Sequence, residues 1–228
     1  MIDNSNQESE GKKKVTEIKT FPVPFSVEGI KGSITISSNT FSNPSTEKII
    51  YQAFKFHSQG NIPEAAKCYE YCINNGCNNH SVYSNYGIIL RGVGELQKAE
   101  ICQRKAIQIK PDYAEAYSNL GNILRDLGKL EDAELSYRKG IQILPNSAQA
   151  YSNLGIILND LGKLHEAEIC QRKAIQIKPD YAKAYSNLGL ILSDLGKSEE
   201  AEFSYRKAIK INPDYTEAHH NLGNILKY

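Results

Sequence analysis

In AEAYSNLGNILRDLGKLEDAELSYRKGIQILPNS, residues 114–147, the apolar and small positions Tyr117, Leu120, Gly121, Leu124 and Leu127 follow one another by steps of three, one, three and three. Those steps put them on one face of an α-helix. After Gly128 a second run, Leu130, Ala133, Tyr137, Gly140 and Ile141, again advances mainly by three or four, so a second amphipathic helix is predicted. Gly128 stands where the first helix needs a residue that accepts a left-handed backbone, and Pro145 closes the second. The stretch therefore reads as a helical hairpin.

The hairpin recurs. YSNLG stands at 117–121, 151–155 and 185–189, at one constant interval, and AEICQRKAIQIKPDYA occurs letter for letter at 99–114 and 167–182, separated by twice that interval. The interval is the length of the stretch 114–147, so that stretch is the repeating unit, and a pair of units has been duplicated. Units 80–113, 114–147, 148–181 and 182–215 follow the pattern, and 216–228 supplies one more first helix. Residues 46–79 read as a diverged copy, with Gly60, Ala65 and Tyr69 in place, Gln52 and Ala53 instead of Leu-Gly, and Cys77 instead of Pro. Capping-box spacings at Asp112 and Glu115, Asn146 and Gln149, and Asp214 and Glu217 predict where helices start. Gly87, Gly121, Gly155, Gly189 and Gly223 fall inside first helices, where each costs about 1 kcal/mol relative to Ala. The expectation is that they let the facing second helix approach closely at Ala99, Ala133, Ala167 and Ala201.

The order of an aromatic residue, Leu-Gly, an aliphatic residue, Gly, Ala, an aromatic residue, a small residue and Pro within a unit of this length resembles the tetratricopeptide repeat, TPR. In unit 114–147 it is carried by Tyr117, Leu120, Gly121, Leu124, Gly128, Ala133, Tyr137, Gly140 and Pro145. The resemblance implies an all-α, right-handed solenoid of stacked hairpins over residues 46–228, with a concave and a convex face, like the multi-repeat arrays of bacteria. It also implies a non-catalytic role in binding other proteins.

A function would be sought on the polar face of the first helices. One column stands out there, Asn85, Asn119, Asn153, Asn187 and Asn221, recurring once in every unit. An amide offers a donor and an acceptor together, the pair needed to hold the main chain of an extended peptide without reading its sequence. The column resembles the asparagines lining the concave face of the TPR arm of O-GlcNAc transferases, which implies the same contact. Glu115, Gln149 and Lys183 differ at one position of the unit and, with Arg125 and Asn122, are the candidate specificity residues. Clamping of a chaperone C-terminal carboxylate is disfavoured, because Ser84, Ser118, Ser152 and Ser186 stand where Lys or Arg would be needed. The reading is a scaffold that binds an extended peptide or partner protein on the concave face. The alternative is the substrate-recognition arm of a transferase whose catalytic domain is missing or separate.

Charge changes little in this picture. Lys and Arg number 27 against 26 Asp and Glu in 228 residues, a net +1, and no basic stripe with interleaved aromatics appears, so nucleic acid is not an expected partner. The N-terminus is polar where a secretory signal has an apolar core, and no run approaches the roughly 18 apolar residues of a membrane span, so a cytoplasmic location is expected. Cys68, Cys72, Cys77 and His80 have a spacing that fits no common zinc site, and Cys102 and Cys170 are one repeat position copied. Neither metal, cofactor nor catalytic residue is expected. Residues 1–45 read as a flexible extension with room for one or two short strands within 15–37, and Phe21, Val23, Phe25 and Val27 are placed to dock on the array. Self-association through that segment or through the open end of the stack is a further expectation, and His219 is expected to replace the packed aromatic of the other units.

Overall fold

The computed structural model describes residues 45–227 and, ahead of them, the short backbone stretches 26–27 and 30–31. In the latter, β1 (Ser26–Val27) and β2 (Ile30–Lys31) pair antiparallel, Ser26 opposite Lys31 and Val27 opposite Ile30. The rest of 1–44 lies outside the described residues, and with it the flexibility expected of the extension and the docking expected of Phe21, Val23, Phe25 and the Val27 side chain. Tyr228 lies outside them as well.

Eleven helices follow among the described residues. The first helices of the hairpins are α1 (Thr46–Ser58), α3 (His80–Gly92), α5 (Ala114–Asp126), α7 (Ala148–Asp160), α9 (Ala182–Asp194) and α11 (Thr216–Ile225). The second helices are α2 (Ile62–Asn74), α4 (Leu96–Ile109), α6 (Leu130–Ile143), α8 (Leu164–Ile177) and α10 (Ser198–Ile211). Each packs most closely on the first helix of its own hairpin and then on the first helix of the next. First helices also touch across units, α3 with α5, α7 with α9 and α9 with α11, whereas second helices are not packed on one another to that extent. The first helices therefore form the crowded inner layer and the second helices the splayed outer one, which gives an all-α solenoid its concave and convex faces.

The hairpin turn has a specific cause. The N–H of Gly128 donates to Arg125 O at 2.9 Å and that of Lys129 to Leu124 O at 2.8 Å, the paired bonds that close a helix through a left-handed residue. Gly128 adopts φ +73°, and the glycines of the other turns do the same. The helix starts differ from expectation. The cap residues of α5 and α11 are Tyr113 and Tyr215, without side-chain capping bonds, while Ser147 caps α7 by accepting from Ala150 N–H. Asp112, Asn146 and Asp214 sit one residue too early, because the short Pro-Asp or Pro-Asn turn is completed before the chain enters the helix.

The core runs between units. Leu120 and Leu124 of α5, Tyr137 of α6, Leu154, Ile157 and Leu158 of α7 and Ile191 of α9 belong to one buried cluster, each such side chain contributing roughly 1.5–3 kcal/mol. The second helix does approach the first-helix glycines at the expected alanines in two units, where a Cβ on Gly87 would lie 3.2 Å from Ala99 O and one on Gly155 3.2 Å from Ala167 O, but a larger side chain comes closer still. A Cβ on Gly121 would lie 2.7 Å from Tyr137 Cε2, and one on Gly155 would lie 2.5 Å from Gln171 Nε2. In these four units the nearest atoms belong to the large buried side chain at 103, 137, 171 or 205. Those positions alternate Gln, Tyr, Gln, Tyr, and Tyr69 begins the series. On the outer layer, Lys129, Lys163 and Lys197 reach back to Glu100, Glu134 and Glu168 of the preceding unit at 2.8 to 2.9 Å. His219 is exposed, its Nε2 lying 2.8 Å from Pro213 O, so it does not pack as the tyrosines of other units do.

Candidate functional site

The asparagine column lies along the inner layer, half-buried, and every member faces a hydroxyl of the unit before its own. Asn85 Nδ2 donates to the Tyr69 hydroxyl at 3.3 Å, Asn119 to Ser84 Oγ at 3.3 Å and Asn187 to Ser152 Oγ at 3.1 Å. Asn153 lies beside the Tyr137 hydroxyl and Asn221 beside that of Tyr205, close enough to act on each phenol. The partner follows the alternation: where the preceding unit carries Tyr, its hydroxyl takes the amide, and where it carries the shorter Gln, a serine does. Tyr137 donates to Asn122 Oδ1 at 2.7 Å, so the phenol that Asn153 faces also holds a second candidate residue. Burial pushes the Tyr69 and Tyr205 phenols up to about 12 and raises that of Tyr137 as well, so all three are un-ionised at neutral pH. The amides of Asn85, Asn119 and Asn187 each spend one N–H on a hydroxyl; a second N–H and the carbonyl oxygen complete their bonding capacity.

The tyrosines among these partners escape a search for polar residues on the groove-facing side, because they sit on second helices and are buried. Their signal in the sequence is the two-unit alternation itself. Gln103 and Gln171 are fully buried and donate to Ser84 O and Ser152 O at 2.8 and 2.9 Å, which fixes the backbone beside the serines that receive the amides.

Two cavities open on the inner layer. The first, about 170 Å³, is lined by Glu115, Ser118, Asn119 and Asn122 from α5 and by Gln149 and Asn153 from α7, with Gly140 and Leu144 at its wall. The second, about 270 Å³, is lined by Arg125, Ile156, Asn159, Lys183, Asn187 and Leu190, with Asp160 and Glu217. Of the residues singled out in the sequence, the structure brings Glu115, Asn119, Asn122, Gln149 and Asn153 together in the first and Arg125, Lys183 and Asn187 in the second. Asn85 and Asn221 lie outside both. The two cavities differ in character: among the described residues no cation lines the first, whereas the second combines Ile156 and Leu190 with charges of both signs. Arg125 is engaged by Asp160 at 3.5 Å, one unit on. Asn159 Oδ1 is buried with no hydrogen-bond partner among the described residues, an acceptor in the cavity wall that a ligand N–H would satisfy.

Among the described residues no group of three or more His, Cys, Asp or Glu is placed to hold a metal. Burial raises the thiols of Cys68 and Cys72 to about 11 and about 12, the direction of a structural rather than a nucleophilic cysteine. No helix among them is long and apolar enough to cross a membrane.

Known proteins share this architecture. The chain superimposes on MamA residues 41 to the end from Desulfovibrio magneticus RS-1 at a TM-score of 0.68 with 18% identity, over 76% of this chain and 98% of that one. It matches YrrB, described as a TPR protein with an unusual peptide-binding site, at 0.64 and 22%, over 75% and 89%. A tetratricopeptide repeat protein from Parabacteroides merdae ATCC 43184 gives 0.70 and 19%, over 81% and 73%. At these identities the likeness is one of fold. No curated protein matches in sequence. Family models described as tetratricopeptide repeat match residues 80–113, 102–134 and 146–214, and one described as TPR repeat matches 121–162. With that run of matches over the stacked hairpins, the chain belongs to the tetratricopeptide repeat family.

Proposed function

We propose that this chain is a non-catalytic scaffold that binds an extended peptide, or an extended segment of a partner protein, along its concave face. The observation that carries the reading is the convergence of the candidate residues on two neighbouring cavities, the first lined mostly by neutral amides and hydroxyls, the second by amides and by charges of both signs that balance. Such a lining offers donors and acceptors to a peptide main chain and has no concentrated charge to demand an anionic or cationic ligand. The hydroxyls that hold the asparagines orient the amides before a ligand arrives, which lowers the ordering cost of binding. Glu115, Gln149, Lys183, Arg125 and Asn122 then set preference among peptides. That the same fold carries a peptide-binding site in YrrB is in keeping with this use of it.

The test must separate contact with a ligand from the stitching of one unit to the next. A displayed library of random peptides is selected on the wild-type chain, on a variant with Asn119→Ala, Asn153→Ala and Asn187→Ala, and on one with Ser84→Ala, Tyr137→Phe and Ser152→Ala. The second variant removes the same inter-unit bonds from the other side and keeps the amides. Loss of the enriched peptides with the first variant and their retention, weakened, with the second is the expected result. A wild-type chain that enriches no peptide, or peptides indifferent to the asparagine variant, would overturn the proposal.

A further inference from the structure

The outer layer carries a pattern that peptide binding on the inner one leaves unused. At one position of each full unit the second helix exposes a large apolar side chain: Ile101, Leu135, Ile169 and Phe203 are 68%, 67%, 67% and 60% exposed. Elsewhere on α4, α6, α8 and α10 the large apolar residues are turned inward, buried or half-buried, so this is a stripe across the array rather than scattered single residues. Leu135 stands on the rim of a groove of about 380 Å³ between α4 and α6, floored by Tyr117 and Leu120 of α5. Phe203 stands on the rim of the equivalent groove two units on, about 600 Å³ between α8 and α10, floored by Tyr185 and Leu188 of α9.

Charge flanks the stripe on both sides. Three residues before each apolar position, on the same helical face, stand Asp132, Glu166 and Glu200; four residues after it stand Lys139, Lys173 and Lys207. Glu166 and Glu200 are paired with Arg138 and Arg172 but remain 54% exposed. Because the second helices repeat in the same direction, the residues line up as an acidic row, an apolar row and a lysine row running side by side. In unit 80–113 the row of acids is broken by Lys98.

We infer that this face is an interface between two copies of the chain, related by a two-fold axis along the apolar row. A copy turned over about that axis lays apolar row on apolar row and its lysine row on the acidic row, while a copy turned end for end would set acid against acid. The first arrangement is self-complementary, as a two-fold interface requires. Leu135, Ile169 and Phe203 form its centre, with the two grooves receiving apolar side chains from the opposite copy; Lys98 facing Lys105 sets its limit at unit 80–113.

The experiment is sedimentation or size-exclusion with light scattering on the full chain up to about 1 mM, where even weak association is seen. The expected result is a dimer that is lost, with a dissociation constant raised at least about tenfold, on Leu135→Glu with Phe203→Glu. A second pair of chains guards against misfolding: one carries Lys139→Glu and Lys207→Glu, the other Asp132→Lys and Glu200→Lys. Each alone should be monomeric, and an equimolar mixture should restore the dimer. A wild-type chain that stays monomeric throughout, a dimer indifferent to the apolar substitutions, or a mixture that fails to reassociate would each overturn the inference.

Discussion

Gly140 of α6 is the one glycine among Ala106, Ala174 and Ala208 at its position of the unit, and all three alanines are fully buried. A Cβ added there would meet Ala114 O and Tyr117 Cβ at 3.4 Å and Ser118 Oγ at 3.5 Å, ordinary van der Waals separations. Gly140→Ala should therefore gain about 1 kcal/mol of helix propensity and about 0.8 kcal/mol for a buried methyl, a net stabilisation of about 1–2 kcal/mol. The matching control is Gly121→Ala in α5. Its Cβ would come within 2.7 to 2.9 Å of three ring atoms of Tyr137, a side chain only 1% exposed, so overpacking of about 1–3 kcal/mol offsets or exceeds the same propensity gain. Thermal unfolding followed by circular dichroism resolves the difference, since 1 kcal/mol moves the midpoint by about 2–4 °C in a chain of this size. Gly140→Ala should melt above wild type and Gly121→Ala at or below it. If the two rise together, the Tyr137 ring yields, and the account of filled spaces beneath the glycines is wrong.

Two other consequences concern titratable groups. Lys129 and Lys197 of the following units, hydrogen-bonded to Glu100 and Glu168, hold those carboxyls below their ordinary value; for Glu134, burial pushes upward but Lys163 and Arg138 outweigh it. A carboxyl whose folded pKa is lowered contributes fully above its unfolded value of 4.5 and loses that contribution as pH falls through the folded one, so the urea midpoint should be flat near neutrality and fall below 4.5, with a shallower fall in a Glu100→Gln, Glu134→Gln, Glu168→Gln variant. Burial raises Cys102 and Cys170 to about 11 each, so both should resist iodoacetamide at pH 8 in the native chain and react once urea unfolds it, as mass spectrometry of tryptic peptides would show; rapid native alkylation would contradict their burial.

The helical hairpins and their stacking were legible because both the helical periodicity and the longer repeat of the unit act on side chains of one sort at a time: Leu120, Leu154 and Leu188 had to face inward, and they do. What escaped was reciprocal. Periodicity shows that Gly121 faces the second helix but not which residue of that helix reaches it, and the nearest by pattern, Ala133, yields to the longer Tyr137. The asparagine column was visible as a column; its hydroxyl partners were not, because Tyr69, Tyr137 and Tyr205 look like ordinary core aromatics until their Oη atoms are located. The capping boxes misled for a local reason, since acid and glutamate at a spacing of three also occur when a turn intervenes before the helix.

The alternation of Tyr and Gln bears on how such a chain can lengthen. Each asparagine reads only the unit before it, so the molecule contains two kinds of junction, Tyr unit followed by Gln unit and Gln unit followed by Tyr unit. Copying one unit in place would create a third kind, Tyr on Tyr or Gln on Gln, that the array has never packed. Copying a pair creates none: every new boundary repeats one already solved. The word shared by 99–114 and 167–182 recurs two units apart rather than one, and a pair of units is the smallest insertion that leaves the alternation of Tyr and Gln unbroken.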